Sequence, residues 1–214
     1  RLKCTLTDLV TTSTVPGSWQ VTPFTARASS RARRISRDLQ LNSKMLSKYG
    51  IGGYDMTQTE PKVSTTVDFS VDGKHHGHLS IPHSRNDSGW GAVHLPIVSI
   101  RNGDGPTMVL TGGNHGDEYE GPIALMKLAR SLDVEEIDGQ VIIIPALNYP
   151  AVLAGHRVSP LDGVNMNRAF PGRRDGTVSS MIAHFVYQKI LPLADAVLDI
   201  HSGGKTMMFS PFAC

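Results

Sequence analysis

The order of apolar and polar positions divides the chain into distinct pieces. Thr65-Thr66-Val67-Asp68-Phe69-Ser70-Val71 alternates, the pattern of a strand with one buried face, and Asp72-Gly73 then marks a tight turn. A return strand is expected through His78-Leu79-Ser80-Ile81, followed by a polar, glycine-containing loop over 83–91. Residues 92–100 predict another strand, in which Pro96 points to an edge or a bulge. After a turn at Asn102-Gly103-Asp104-Gly105 come two apolar runs, 107–111 and 141–147. The second is nearly unbroken, as in strands buried on both faces of a parallel sheet. Between them Leu125, Leu128, Ala129 and Leu132 recur at three and four, the spacing of an amphipathic helix ending near Asp133, with Pro122 in its first turn. Strand, helix and strand form a βαβ unit. A second helix is expected over 178–193, with Val178, Ile182, Phe185, Val186, Ile190 and Leu193 on one face and Thr177 or Asp175 as its cap. It leads to a strand at 196–200, and Gly203-Gly204 turns the chain into the start of a further strand at 206–209. The expected fold is α/β, with a mostly parallel or mixed central sheet, flanking helices, and a sheet incomplete at the C-terminal end.

Charge divides the 214 residues differently. Residues 1–55 hold nine Lys/Arg and three Asp/Glu; residues 56–214 hold twelve and sixteen. The first segment is rich in Ser, Thr and Arg, has no sustained apolar period, and is followed by Met56, which opens an ordinary-looking start. Residues 1–55 are therefore expected to be a basic leader outside the fold, disordered or loosely helical. It reads as sequence upstream of the true start, or as an organelle-type targeting segment. The folded part is 56–214. Since the basic excess belongs to the leader, no nucleic-acid partner is expected. No run approaches the ~20 apolar residues that span a membrane, so no membrane partner is expected either. Cys4 and Cys214 stand at opposite ends, with no disulfide framework and no Cys-based metal spacing, which fits a reducing, cytoplasmic location.

The candidate chemistry begins where the run 107–111 ends, at Gly112-Gly113-Asn114-His115-Gly116-Asp117-Glu118. His115 and Glu118 are three apart and fall on one side of a helical turn, so both reach one ion. Zinc accepts imidazole nitrogen and carboxylate oxygen, and catalytic sites often use two His and one Glu. His201, at the end of Ala196-Val197-Leu198-Asp199-Ile200, is the third candidate ligand. Both strands present these residues at their carboxyl ends, where α/β sheets bind ligands. Asp199, two residues before His201, shares its strand face and is expected to orient that imidazole. The long loop over 148–176 carries Arg157, Asn167 and Arg168. Arg offers a planar fork for a carboxylate, and Asn167 an amide donor. Other residues invite blander readings. His75, His76, His78 and His83 lack accompanying carboxylates and read as surface or structural. His184 reads as packing, Lys205 as a solvated lysine, and Met207-Met208 as core.

Three motifs in this order are similar to the succinylglutamate desuccinylase/aspartoacylase family, which is related to the zinc carboxypeptidases. They are Gly-Gly-Asn-His-Gly-Asp-Glu at 112–118, Asn-Met-Asn-Arg-Ala-Phe-Pro-Gly at 165–172 and Asp-Ile-His-Ser-Gly-Gly at 199–204. The resemblance covers about residues 63–214. Within the family, His83-Ser84-Arg85, Ser88-Gly89-Trp90-Gly91 and the run 114–125 look most like the deacetylases of N-acetyl-diaminobutyrate in ectoine breakdown. The resemblance implies a zinc carboxypeptidase-like fold and Zn2+ held by His115, Glu118 and His201. It also implies Arg157 as the group that steadies the oxyanion, and Asn167 with Arg168 as the pair that binds the substrate carboxylate. The implied activity is removal of a small acyl group from an N-acylated amino acid. The partner is that small molecule, with oligomerisation left open. The family's general base lies well downstream of the third ligand, and Glu120, at i+2 from Glu118, faces away. The chain is therefore expected to be the N-terminal part of an enzyme whose base follows residue 214, with weak or no turnover of its own. The alternatives are a zinc carboxypeptidase acting on peptide C-termini and a non-catalytic zinc- or carboxylate-binding remnant.

Overall fold

The computed structural model describes residues 60–87 and 89–210. The basic leader, Met56, Cys4 and Cys214 lie outside them. Six strands form one sheet: β1 (Ser64–Thr65), β2 (Gly73–Pro82), β3 (Ala92–Asn102), β4 (Thr107–Gly112), β5 (Gly139–Ile144) and β6 (Ala196–Ile200), in the order β1-β2-β3-β5-β4-β6. The helices are α1 (Glu120–Ser131), α2 (Tyr149–Ala154) and α3 (Val178–Phe185). The sheet is mixed. β1, β2, β3 and β5 pair antiparallel in turn, whereas β5, β4 and β6 are parallel. No helix among the described residues is long and apolar enough to cross a membrane.

β5 lies mid-sheet and is buried at every position, which is why its sequence is apolar without alternation. Ile142 and Ile144 join one core with Leu79, Ile81, Leu95, Ile97 and the α3 residues Ile182 and Phe185. Strand alternation turns Val141 and Ile143 to the opposite face. There α1 packs on β4 and β5 through Leu125 and Ala129. The chain moves from β4 to β5 in one direction and from β5 past β4 to β6 in the other. Right-handed crossovers then place α1 and α3 on opposite faces. The crevice at the carboxyl ends of β4 and β5 is thus a topological switch point, the usual ligand position in such sheets.

Several expectations are corrected. The first hairpin arm is only Ser64–Thr65, not 65–71. Asp68 accepts hydrogen bonds from its neighbour Ser70, at N (2.8 Å) and Oγ (2.6 Å), and Thr65 Oγ1 accepts from Val67 N (3.1 Å). These local bonds compete with a ladder. The real hairpin joins β2 and β3 across 83–91. Pro96 sits in the half of β3 that pairs with β2 alone, a local edge as expected. The run 141–147 ends as a strand at Ile144, and Leu147 N and Asn148 N instead donate to Gly112 O and Gly113 O. The loop 148–176 contains α2, with Pro150 in its first turn and Gly155 closing it at φ 60°, a conformation glycine adopts freely. α3 is capped by Thr177 and passes into a π-helical turn, Val186–Ile190, and a 3-10 turn, Leu191–Leu193. The change of period carries Leu193 off the apolar face, and it is exposed. Residues 206–209 form no strand, and Met207 and Met208 are exposed, not core.

Asp162 fastens the long loop to α3. Its carboxylate accepts from Ser179 N (2.8 Å), Ser179 Oγ (3.0 Å) and Val164 N (3.1 Å). Burial raises its pKa, but hydrogen bonds from Ser179, Thr177 and Val164 outweigh burial and hold it below the usual value. A depressed folded-state pKa means that the stabilisation is present above the unfolded value, near 3.8, and is lost as pH falls through the folded value. Asp162→Ala is expected to lower stability by about 2 kcal/mol at neutral pH. In thermal melts of wild type and variant, that gap should be constant from about pH 6 to 8 and narrow as pH falls below about 4.

Candidate metal centre

β4 ends at Gly112, and residues 113–119 form the turn that leads into α1. Gly116 lets this turn lie against α2. A Cβ there would stand 2.0 Å from the backbone C and O of Ala151, closer than any side chain tolerates. Gly116 N also donates to His156 O at 2.9 Å, tying the turn to the start of the long loop. On the other side β6 runs parallel to β4 with Thr111 opposite Asp199 and Gly112 opposite Ile200. His201 therefore leaves the sheet beside the 113–119 turn.

The three candidate ligands converge. Glu118 Oε1 is 2.6 Å from His115 Nδ1, and Glu118 Oε2 is 2.9 Å from His201 Nδ1. One donor atom from each residue lies within 4.8 Å of the others, and among the described residues this is the one such group. His115 and Glu118 are buried, while His201 is open on one side. Both rings turn Nδ1 inward and engage Nε2 elsewhere. His201 Nε2 meets Asp199 Oδ2 at 2.8 Å, and His115 Nε2 meets Asn165 Oδ1 at 3.2 Å. Ser202 N donates to Glu118 Oε2 at 3.1 Å.

The electrostatics favour a cation. The hydrogen bond to Asp199, together with the charges of Asp199 and Glu118, raises His201 to about 9 against the opposing effect of burial. For Asp199, burial acts upward, but hydrogen bonds from His201, Thr111 and Asn114 hold the carboxyl below its usual range. Two imidazole nitrogens and a carboxylate, each ring held from behind by an oxygen, is a donor set that fits zinc.

Of the loop residues, Arg157 reaches the centre. Its Nη1 is 3.4 Å from both His115 Nδ1 and Glu118 Oε1, and the side chain is otherwise exposed. Asn167 joins the centre through Asn114, whose Nδ2 donates to Asn167 Oδ1 at 2.7 Å. Arg168 is exposed in the 3-10 turn Met166–Arg168, and its guanidinium has no ion pair among the described residues. The Ser202 hydroxyl donates a hydrogen bond to Glu120 and lowers its pKa. A carboxylate held low is a poor general base near neutral pH. The histidines near the hairpin form no metal-sized group; His78 packs edge-to-face on His94. His184 is buried in α3, and burial pushes its pKa down. Asn114, Asn165 and Thr111 escaped the sequence analysis. The short repeat Asn165-x-Asn167 beside an arginine was the available signal.

Residues 104–214 match the model of the succinylglutamate desuccinylase/aspartoacylase catalytic domain. The chain belongs to the succinylglutamate desuccinylase/aspartoacylase family. It is 51% identical over 156 residues to the N-alpha-acetyl-L-2,4-diaminobutyric acid deacetylase of Halomonas elongata, a match covering 73% of this chain and 46% of that protein. The product-bound ectoine utilization protein EutE (DoeB) of Ruegeria pomeroyi superposes with a TM-score of 0.66 at 53% identity, covering 67% of this chain and 44% of the other. A succinylglutamate desuccinylase/aspartoacylase of Rhodobacter sphaeroides gives 0.65 at 51% identity, over 67% and 44%. This member of the succinylglutamate desuccinylase/aspartoacylase family spans about half the length of the relatives it matches.

Proposed function

We propose that the chain carries the zinc- and substrate-binding half of a hydrolase that removes the acetyl group from an N-acetylated amino acid, with N-acetyl-L-2,4-diaminobutyrate as the substrate to try first. The observation that carries this reading is the Glu118 carboxylate held between two imidazole Nδ1 atoms, with Arg157 beside it. The 51% identity to a deacetylase of that substrate supports the choice of acyl group and amine.

In this reading His115, Glu118 and His201 hold the ion. When bound, zinc supplies Lewis-acid polarisation of the acyl carbonyl and lowers the pKa of a water molecule. Arg157 directs its guanidinium to the place where negative charge develops on the carbonyl oxygen, and stabilising that charge dominates catalysis in many acyl transfers. The NH2 group of Asn167 and the fork of Arg168 bind the α-carboxylate and so fix the amide relative to the ion. Asp199 keeps the proton of His201 on Nε2 and frees Nδ1 for the ion. The group that passes a proton to the leaving amine is assigned to the part of the relatives' length that this chain does not span, since Glu120 is engaged by Ser202.

Calorimetry on the zinc-loaded chain tests the reading. N-acetyl-L-2,4-diaminobutyrate should bind, and a chelator should abolish binding. Arg168→Ala should weaken it by about tenfold or more, the loss of a charge-assisted bidentate contact. Acetate release should be slow at best. Preferential binding of blocked dipeptides would favour a carboxypeptidase, and binding indifferent to zinc would end the proposal.

A further inference from the structure

Asn114 lies in the 113–119 turn, 3% exposed, and its side chain hydrogen-bonds to neither imidazole. Its Nδ2 donates twice, to Asp199 Oδ2 at 3.0 Å and to Asn167 Oδ1 at 2.7 Å. Its own Oδ1 is buried without a partner. A buried amide that leaves its acceptor unsatisfied forgoes a hydrogen bond, so something must impose the orientation. Asp199 does. A carboxylate only accepts, so the Asn114 nitrogen must face it. That nitrogen has a second hydrogen, and the group opposite is the Asn167 amide. Only the oxygen of Asn167 accepts, so it faces Asn114 and the Asn167 NH2 group turns the other way. Asn167 is exposed, and its Nδ2 has no partner among the described residues.

We infer that Asn114 is a positioning residue: it relays the acceptor-only character of Asp199 to Asn167, and so fixes the Asn167 NH2 group outward as a carboxylate donor. One carboxylate on β6 then sets two things at once. Through His201 Nε2 it orients a candidate ligand, and through Asn114 it orients the clamp 53 residues further along the chain from Asn114. With the Asn167 amide reversed, its oxygen would face the incoming carboxylate and repel it. The inference rests on the clamp role proposed above for Asn167.

The test uses the zinc-loaded 214-residue chain and two probes that differ only in the carboxylate, N-acetyl-L-alanine and N-acetyl-L-alaninamide. Asn114→Ala should weaken the acid about tenfold and leave the amide within about twofold. In an Asn167→Ala background it should add nothing for the acid. Asn114→Asp, which keeps the shape but cannot donate toward Asn167 while facing Asp199, should reproduce the effect if the alanine variant does not fold. Equal losses for acid and amide, or losses from Asn114→Ala and Asn167→Ala that multiply, would overturn the relay. If the parent chain does not distinguish acid from amide, the clamp itself is wrong, and the ligand-free state decides on the relay. The side-chain amide resonances of Asn167 in the 15N-labelled chain should then shift in the Asn114 variants. Unmoved resonances overturn the inference.

Discussion

Replacing Glu118 with alanine should strip zinc from the protein. Loss of an outer partner behind a ligand already weakens metal affinity about ten- to a hundredfold, and removing a ligand should exceed that. Competition against a chromogenic chelator gives the number directly: more than about a hundredfold for Glu118→Ala, and the same for His115→Ala and His201→Ala. Asp199→Asn should fall in the lower range, because it keeps the shape behind His201 and removes the charge. The metal-free protein should also feel the change at position 118. The carboxylate is buried and accepts from Ser202 N while facing both Nδ1 atoms. Alanine leaves the buried His115 Nδ1 with only Arg157 Nη1 near it, at 3.4 Å, a loss of about 1–3 kcal/mol in thermal or urea unfolding. Zinc affinity within a few-fold of wild type in Glu118→Ala would remove the metal centre as proposed.

What could be read in the sequence follows from the range over which each feature is encoded. β4, β5 and α1 are written in short windows: an apolar run buried on both faces, or apolar residues at three and four. His115, Glu118 and His201 could be joined because each sits just past a strand in a fold whose parallel strands end together, although 83 residues separate the last two. The false first arm of the hairpin came from the same window logic. Alternation at 65–71 was real, and Val67 and Phe69 do reach the core, yet Asp68 spends its carboxylate on Ser70 and bends the chain away from the sheet. α2 has six residues, too few for periodicity to register, and only Pro150 and Gly155 announce it. The contacts of Asn114 with Asn167 and Asp199 have no local signature, for amides meeting across three segments follow no period. Met207 and Met208 are exposed where a core position is expected, because apolar character says what prefers burial, not what is available to cover it.

The second large effect needs no metal to be seen. Gly116→Ala adds one methyl group, and the atoms it meets are backbone: Ala151 C and O at 2.0 Å and Val152 N at 2.4 Å. A flexible side-chain tip would move aside at little cost, whereas a helix backbone does not. Either α2 shifts as a unit or the 113–119 turn lifts off it. Each route breaks something further. Ala151 O accepts from His156 N at 3.0 Å, and Gly116 N donates to His156 O at 2.9 Å, so displacing α2 loosens the start of the loop that brings Arg157 to the centre. Lifting the turn instead moves His115, its immediate neighbour. Overpacking against backbone costs about 3 kcal/mol, which for a folded unit of this size lowers Tm by roughly 6–12 °C. Zinc should then bind more weakly as well, since the ion would have to restore a displaced ligand from a destabilised state. Gly89 supplies the control: nothing lies within 4 Å of a Cβ there, and Gly89→Ala should leave both Tm and zinc affinity where they were. Should Gly116→Ala melt within a degree or two of Gly89→Ala, the turn does not rest on α2, and the packing that aims His115 at Glu118 and His201 lies elsewhere.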